Sequence, residues 1–76
     1  MSASITDTPM LNYAQQQALN FIRQHPGLNT EAITNNLAGY DNLAARYEIA
    51  NAVEYLVWNQ ICNRDARTGA ISAIDI

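Results

Sequence analysis

Few side chains in this sequence could carry acid–base, nucleophilic or metal chemistry, and they are widely spaced. The chain has one histidine, His25, one cysteine, Cys62, and seven scattered carboxylates. A metal site needs several ligands close together, and general acid–base catalysis needs groups within reach of one substrate. Unless folding brings distant carboxylates together, the sequence predicts no catalytic residue, no metal site and no cofactor. We therefore expect a protein that is not an enzyme.

The arginines indicate a different chemistry, because three of the four lie between residues 46 and 67. Arg46 could bind phosphate or a guanine edge, Arg64 and Arg67 could bind phosphates, and Asn51 could pair with an adenine edge. The overall charge argues the other way. Four basic residues against seven acidic ones give a net charge of −3, whereas a stand-alone nucleic-acid binder usually has a basic balance.

Length and composition predict one small globular domain. A chain of 76 residues buries only about 60% of its unfolded surface, so a partner subunit would add useful stability. The lone cysteine excludes an intramolecular disulfide. No apolar run approaches the ~20 residues of a membrane span, and the start "MSASITDTPM" lacks the basic flank and apolar core of a signal peptide. We expect a soluble, cytoplasmic protein with no membrane partner.

Hydrophobic periodicity places a first helix after a flexible segment of residues 1–8. Thr8 can cap this helix, and Pro9 suits the first helical position. Its apolar face would comprise Leu11, Ala14, Ala18, Phe21 and Ile22. The "HPG" sequence at residues 25–27 should end it, because the residue before a proline is disfavoured in helical geometry.

Two further helices are predicted in the middle of the chain. Asn29 or Thr30 should cap the second, and Gly39 should end it. Asp41 or Asn42 should cap the third. The inner face of the third helix would comprise Ala45, Ile49, Ala52, Val53 and Leu56.

The C-terminal segment predicts a β-hairpin. "ICNRD" and "AISAIDI" are short and rich in β-branched residues, and "ARTG" between them holds the only glycine of the region. The last strand, ending in Ile74 and Ile76, would be an unpaired edge that invites pairing with another chain. The predicted fold class is therefore mainly α with a small β-hairpin.

Three short helices followed by a hairpin resemble the small winged helix-turn-helix proteins of bacteria and phages. The resemblance covers residues 9–76, the predicted winged-helix domain. It rests on "GLNTEAITNNLAG" as the first helix of the turn, and on the apolar frame of Ile49, Val53, Leu56 and residues 61–62. Two features depart from that family: Gln60 replaces the usual glycine before the wing, and residues 37–49 exceed its compact turn. The resemblance implies a three-helix winged helix-turn-helix that uses its third helix and wing to bind double-stranded DNA.

The outer face of the third helix is predicted by stepping 100° per residue from Ile49, the centre of the buried stripe. The opposite side then holds Tyr47, Asn51, Glu54 and Trp58, with Tyr55 and Ala44 on one flank and Arg46 near the other boundary.

One interpretation is a DNA-binding regulator of transcription or of a phage, either monomeric or dimeric. Arg46 and Asn51 would enter the major groove from the third helix, and Arg64 and Arg67 would contact phosphates from the wing. Glu54, in the middle of the same face, would repel phosphate.

The alternative is a winged-helix protein-interaction module: an adaptor, an inhibitor or a phage modulator of a host complex, or a homodimer. Tyr47, Tyr55 and Trp58 would form its interface, because aromatics with few charges are typical of interface centres. Trp58 could instead pack under the wing, and the two tyrosines could be partly buried at the helix flanks. If two of the three aromatics are exposed, a protein-contact surface becomes the better interpretation.

Overall fold

The computed structural model describes residues 10–74, and these form three α-helices followed by one β-hairpin. The elements in chain order are α1 (Tyr13–Gln24), α2 (Thr30–Ala38), α3 (Leu43–Trp58), β1 (Cys62–Arg64) and β2 (Ile71–Ala73). The domain is thus mainly α with a small antiparallel hairpin, as predicted, and has a helix-turn-helix plus wing layout. Within the described range, no helix is long and apolar enough to cross a bilayer.

Helix α1 begins at Tyr13, so the predicted start at Pro9 is wrong. Residues 10–12 are not helical, and Asn12 caps the helix through a reciprocal pair of hydrogen bonds. The Gln15 backbone N–H donates to Asn12 Oδ1 at 2.8 Å, and the Asn12 backbone N–H donates to Gln15 Oε1 at 2.9 Å. This capping box satisfies two N–H groups that the first turn would otherwise leave unpaired. Thr8, Pro9 and the predicted flexible segment 1–8 lie outside the described residues.

Asparagine caps also start α2 and α3. The side chains of Asn29 and Asn42 each accept from the backbone N–H three residues further on, at 2.8 and 3.0 Å. Of the predicted alternatives, Asn29 is therefore chosen over Thr30, and Asn42 over Asp41. Gly39 ends α2 with a φ of 74°, as expected of a glycine stop.

The end of α3 takes a left-handed residue at Gln60, the position where the winged-helix resemblance leads us to expect glycine. Gln60 has a φ of 61°. Its N–H donates to the Val57 carbonyl at 3.1 Å, and the Ile61 N–H donates to the Leu56 carbonyl at 2.9 Å. This pair of bonds is a Schellman motif, which turns the chain out of the helix and into the wing.

The wing is an antiparallel pair with a tight turn. Strand β1 pairs with β2 in the register Cys62↔Ala73, Asn63↔Ser72 and Arg64↔Ile71. In the turn, the Arg67 backbone N–H donates to Asp65 Oδ1 at 2.7 Å, and Gly69 has a φ of 79°. The aspartate and the glycine together close the loop.

The outer edge of β2 is hydrogen-bonded at Ile71, its first residue. The prediction of an unpaired edge strand is therefore wrong at this residue. The Ile71 N–H donates to the Leu28 carbonyl at 2.9 Å, and the Gly27 N–H donates to the Ile71 carbonyl at 2.9 Å. The Ile74 N–H donates to the Ile61 carbonyl at 2.9 Å, while Ile76 lies outside the described residues. The wing is therefore fastened to the segment between α1 and α2.

The core lies where the three helices and the hairpin meet. Its buried residues are Ala14, Ala18, Leu19, Ile22, Ile33, Ile49, Ala52, Val53, Leu56, Cys62 and Ile71. The predicted inner face of α3 is thus confirmed, except that Ala45 is only half-buried. Cys62 is a small buried hydrophobe, as predicted. Most of these side chains are small or medium-sized aliphatic groups, and none is aromatic: Phe21 packs against the core only partly buried, whereas Tyr47 and Trp58 are exposed.

Candidate functional site

The outer face of α3 carries two exposed aromatic side chains. Trp58 is 83% exposed and Tyr47 is 73% exposed, so Trp58 does not pack under the wing. Asn51 is also exposed, whereas Glu54 and Tyr55 are half-buried. Two of the three predicted interface aromatics therefore face solvent, and Tyr55 lies at the flank.

Arg46 points away from the outer face and ties α3 to the end of α2. Its Nη1 donates to Asn35 Oδ1 at 2.8 Å and to the backbone carbonyl of Gly39. The guanidinium carbon also lies over the Tyr40 ring, 5.8 Å from the ring centroid. Gly39 ends α2, where a positive charge is stabilised by the helix dipole. The guanidinium is thus engaged inside the helix-turn-helix unit.

Arg64 is engaged as well, because it bridges the wing to both later helices. Its Nη2 donates to the carboxylate of Glu54 on α3 and, at 3.3 Å, to the hydroxyl of Thr30 on α2. The Arg64 and Glu54 side chains are 34% and 42% exposed. The pair cancels the positive charge that the wing strand would otherwise present and the negative charge on the outer face.

Of the three arginines that were predicted to bind DNA, Arg67 is the one whose guanidinium makes no contact of this kind among the described residues. It lies in the exposed turn of the wing, and its backbone N–H, together with that of Thr68, donates to the carboxylate of Asp65. The described part of the chain offers its side chain no hydrogen bond or ion pair. The structure therefore places Arg46, Arg64 and Arg67 in three different environments rather than in one free basic patch.

A groove of about 560 Å³ runs between the first turns of α2 and the first half of α3. Its lining residues are Thr30, Glu31, Thr34, Leu43, Arg46, Tyr47 and Ala50. Leu43 is 70% exposed and, with Tyr47 and Ala50, forms an apolar wall. Thr34 is only 4% exposed, and its hydroxyl has no hydrogen-bond partner among residues 10–74. The Glu31 carboxylate, which is exposed, likewise makes no hydrogen bond or ion pair with that part of the chain.

The sequence interpretation missed this groove. Helical periodicity describes one helix at a time, whereas the groove arises from the way α2 and α3 pack against each other. One signal was available. Leu43 opens α3 at about 120° from Ile49, outside the buried stripe, where a polar residue is the usual choice.

Among the residues that the structure describes, those considered for metal binding form no cluster. His25 is exposed, and its ring packs against the Phe21 ring with centroids 4.6 Å apart. Over the described range, no group of histidine, cysteine and acidic residues is arranged to hold a metal ion.

Comparisons with known proteins give no match: no family model, no curated protein and no solved structure is similar to this chain. The helix-turn-helix plus wing layout is thus a property of the structure itself.

Proposed function

We propose that this chain is a winged-helix protein-interaction module that binds its partner through the outer face of α3. The observation that carries the proposal is the exposure of Tyr47 and Trp58 on the same side of one helix. They are separated by about 20° around the helix axis at 100° per residue. Tryptophan and tyrosine are the residue types most enriched at the energetic centres of interfaces.

The energetics support this proposal. Fully burying a large apolar side chain stabilises by about 1.5–3 kcal/mol. The isolated domain gains little of that burial free energy from Trp58, Tyr47 and Leu43, because each of these side chains is at least 70% exposed. A partner that covers the three side chains recovers it. Tyr55, half-buried at the flank, would lie at the rim of the contact.

The charges favour a protein partner over nucleic acid. DNA affinity depends on arginines and lysines that neutralise phosphates. Arg46 and Arg64 are engaged within the domain, Glu54 lies on the outer face, and the net charge is −3. Binding DNA through Arg64 would first require its ion pair with Glu54 to break.

A DNA-binding regulator is the second candidate, and two observations favour it. Asn51 is exposed in the middle of the outer face, and the free Arg67 lies at the tip of the wing. In a winged helix these are the positions that reach a base edge and a phosphate. With few phosphate contacts, such binding would be weak and sensitive to salt.

The test compares interface variants with a matched control. The protein carrying both Tyr47→Ala and Trp58→Ala should lose a partner that co-purifies with the parent chain in stoichiometric amount. Tyr13→Ala should keep it, because Tyr13 is an exposed tyrosine on α1, away from this face. Circular dichroism should show that all variants remain folded.

A parallel titration tests the second candidate. Fluorescence anisotropy with mixed-sequence duplex DNA, at about 50 mM salt, should show no binding at micromolar protein. Salt-sensitive binding that is lost in Arg67→Ala and Asn51→Ala, but kept in Trp58→Ala, would favour the DNA-binding regulator and refute the interaction module.

A further inference from the structure

We infer that the partner of this face is a second copy of the chain, and that Trp58 of each copy inserts into the α2–α3 groove of the other. The inference rests on the proposed function, because it names the partner of the same face. Two observations carry this inference: the Trp58 indole projects from α3, and the groove lies beside the same helix, between α3 and α2.

The spacing of the indole and the groove suits a two-fold dimer. The α3 residues that line the groove span positions 43 to 50, so the groove centre lies about 17 Å from Trp58 along the helix at 1.5 Å per residue. If two α3 helices pack antiparallel, with the two-fold axis between Asn51 and Glu54, each Trp58 lies opposite the groove of the other copy. Both grooves are then filled at once, and the assembly closes as a dimer instead of growing into a filament.

The groove offers chemistry that suits an indole. Its volume of about 560 Å³ lies within the range of ligand pockets, and Leu43, Tyr47 and Ala50 supply apolar contact. A buried tryptophan N–H normally requires an acceptor. The Glu31 carboxylate lines the groove and has no partner among the described residues, so it is the acceptor that we assign to Trp58 Nε1–H.

The charge on the contact is compatible with two identical acidic chains. Each copy carries a net charge of −3, so unpaired carboxylates that met their own copies across the two-fold axis would repel each other. Glu54, next to the proposed two-fold axis, is neutralised by Arg64. The axis therefore brings together two neutralised ion pairs.

The exposed area indicates a dimer of moderate affinity. An aromatic side chain contributes roughly 150–250 Å², so Tyr47 and Trp58, at 73% and 83% exposure, present about 230–390 Å². That is between a quarter and a half of the ~800 Å² per partner in a standard interface. Leu43 and the half-buried Tyr55 add to it, and we expect a dissociation constant on the order of micromolar.

The experiment uses the purified full chain and two readouts. Sedimentation equilibrium should show a monomer–dimer equilibrium, and the fluorescence of Trp58, the single tryptophan, should shift to shorter wavelength as the dimer forms. Trp58→Ala should weaken the dimer by at least about 100-fold, because each dimer loses two hot-spot contacts. Trp58→Phe should weaken it less, since it loses the N–H and part of the ring, and Tyr13→Ala should leave it unchanged.

A mixing experiment tests the reciprocal arrangement directly. Leu43→Glu places a carboxylate in the apolar wall of the groove. The position is exposed and lies in the first turn of α3, where an acidic residue is compatible with the helix dipole. That variant keeps Trp58, whereas Trp58→Ala keeps the groove. Each variant alone should be monomeric. When Trp58→Ala is titrated into Leu43→Glu, the tryptophan emission should shift to shorter wavelength, because one intact contact forms.

Three results would overturn the inference: a chain that is monomeric up to near-millimolar concentration, a dimer that Trp58→Ala leaves intact, or assembly beyond the dimer. A monomer that still binds a different protein through Tyr47 and Trp58 would remove the self-association and keep the proposed interaction module. A monomer that loses no partner in those variants would remove both.

Discussion

Replacing Gln60 by glycine should stabilise the domain, because Gln60 adopts a left-handed conformation that a side chain makes unfavourable. Its φ is 61°, and among residues 10–74 it is the one non-glycine residue with a positive φ. For an L-residue this conformation costs roughly 1–2 kcal/mol relative to the right-handed one. Glycine removes that penalty but adds about 0.5–1 kcal/mol of backbone entropy on folding. The two ranges leave a net gain of roughly 0–1.5 kcal/mol in the free energy of unfolding, and we expect a value near its middle, about 0.5–1 kcal/mol.

The measurement is thermal unfolding followed by circular dichroism or calorimetry. In a domain of this size 1 kcal/mol corresponds to roughly 4–8 °C in Tm, so Gln60→Gly should raise Tm by about 2–8 °C. Gln60→Ala is the matched control. It removes the polar side chain but keeps the β-carbon that causes the strain, so its Tm should stay close to that of the parent chain.

A second control separates the left-handed conformation from helix ending in general. The preceding residue, Asn59, has a φ of −92°, which any residue adopts. Asn59→Gly should therefore lower Tm, both through backbone entropy and through loss of the side-chain bond to the Tyr55 carbonyl. If Gln60→Gly lowered Tm as well, or if Gln60→Ala raised it equally, strain at the β-carbon would not be the reason.

Two further substitutions test the contacts around the groove. Arg46→Ala should lower the free energy of unfolding, measured in urea, by about 1–3 kcal/mol, because it removes charged hydrogen bonds to Asn35 and Gly39. The control Arg67→Ala, at the exposed wing tip, should change that free energy by less than about 0.5 kcal/mol. Thr34→Val should stabilise the domain by about 1 kcal/mol and raise Tm by a few degrees, because it replaces a buried, unpaired hydroxyl by a methyl group of the same shape. A fall in Tm would show that the hydroxyl is hydrogen-bonded in solution.

The parts of the fold that the sequence predicted are those determined by local pattern. The buried stripe of α3 follows from a 3.6-residue repeat, and Gly39 ends α2 because few other residues adopt its φ. The start of α1 was not predicted, because "TP" at residues 8–9 and the capping box at Asn12 are competing signals a few residues apart. A capping box provides two hydrogen bonds, and in the described chain it determines where the helix begins.

The candidate site was only partly predictable, because its decisive contacts join residues far apart in the sequence. Helical stepping correctly placed Tyr47, Asn51 and Trp58 on the outside. Stepping around one helix gives no information on Arg64, whose partners Glu54 and Thr30 lie 10 and 34 positions away. The pairing of Ile71 with Leu28 is equally remote. The outward residues could be predicted, but the arginines' partners could not.

The internal contacts of the arginines also bear on how the outer face would bind. Arg46 holds the end of α2 against α3, and Arg64 holds the wing against Thr30 and Glu54. Together they connect α2 and α3, the two helices that line the groove, to the wing. A surface that is held in place before binding loses less conformational entropy when a partner docks. In a DNA-reading winged helix the same side chains would have to be released toward phosphates, which would loosen this arrangement. The two uses of the arginines therefore compete, and the observed hydrogen bonds favour the rigid protein-contact surface.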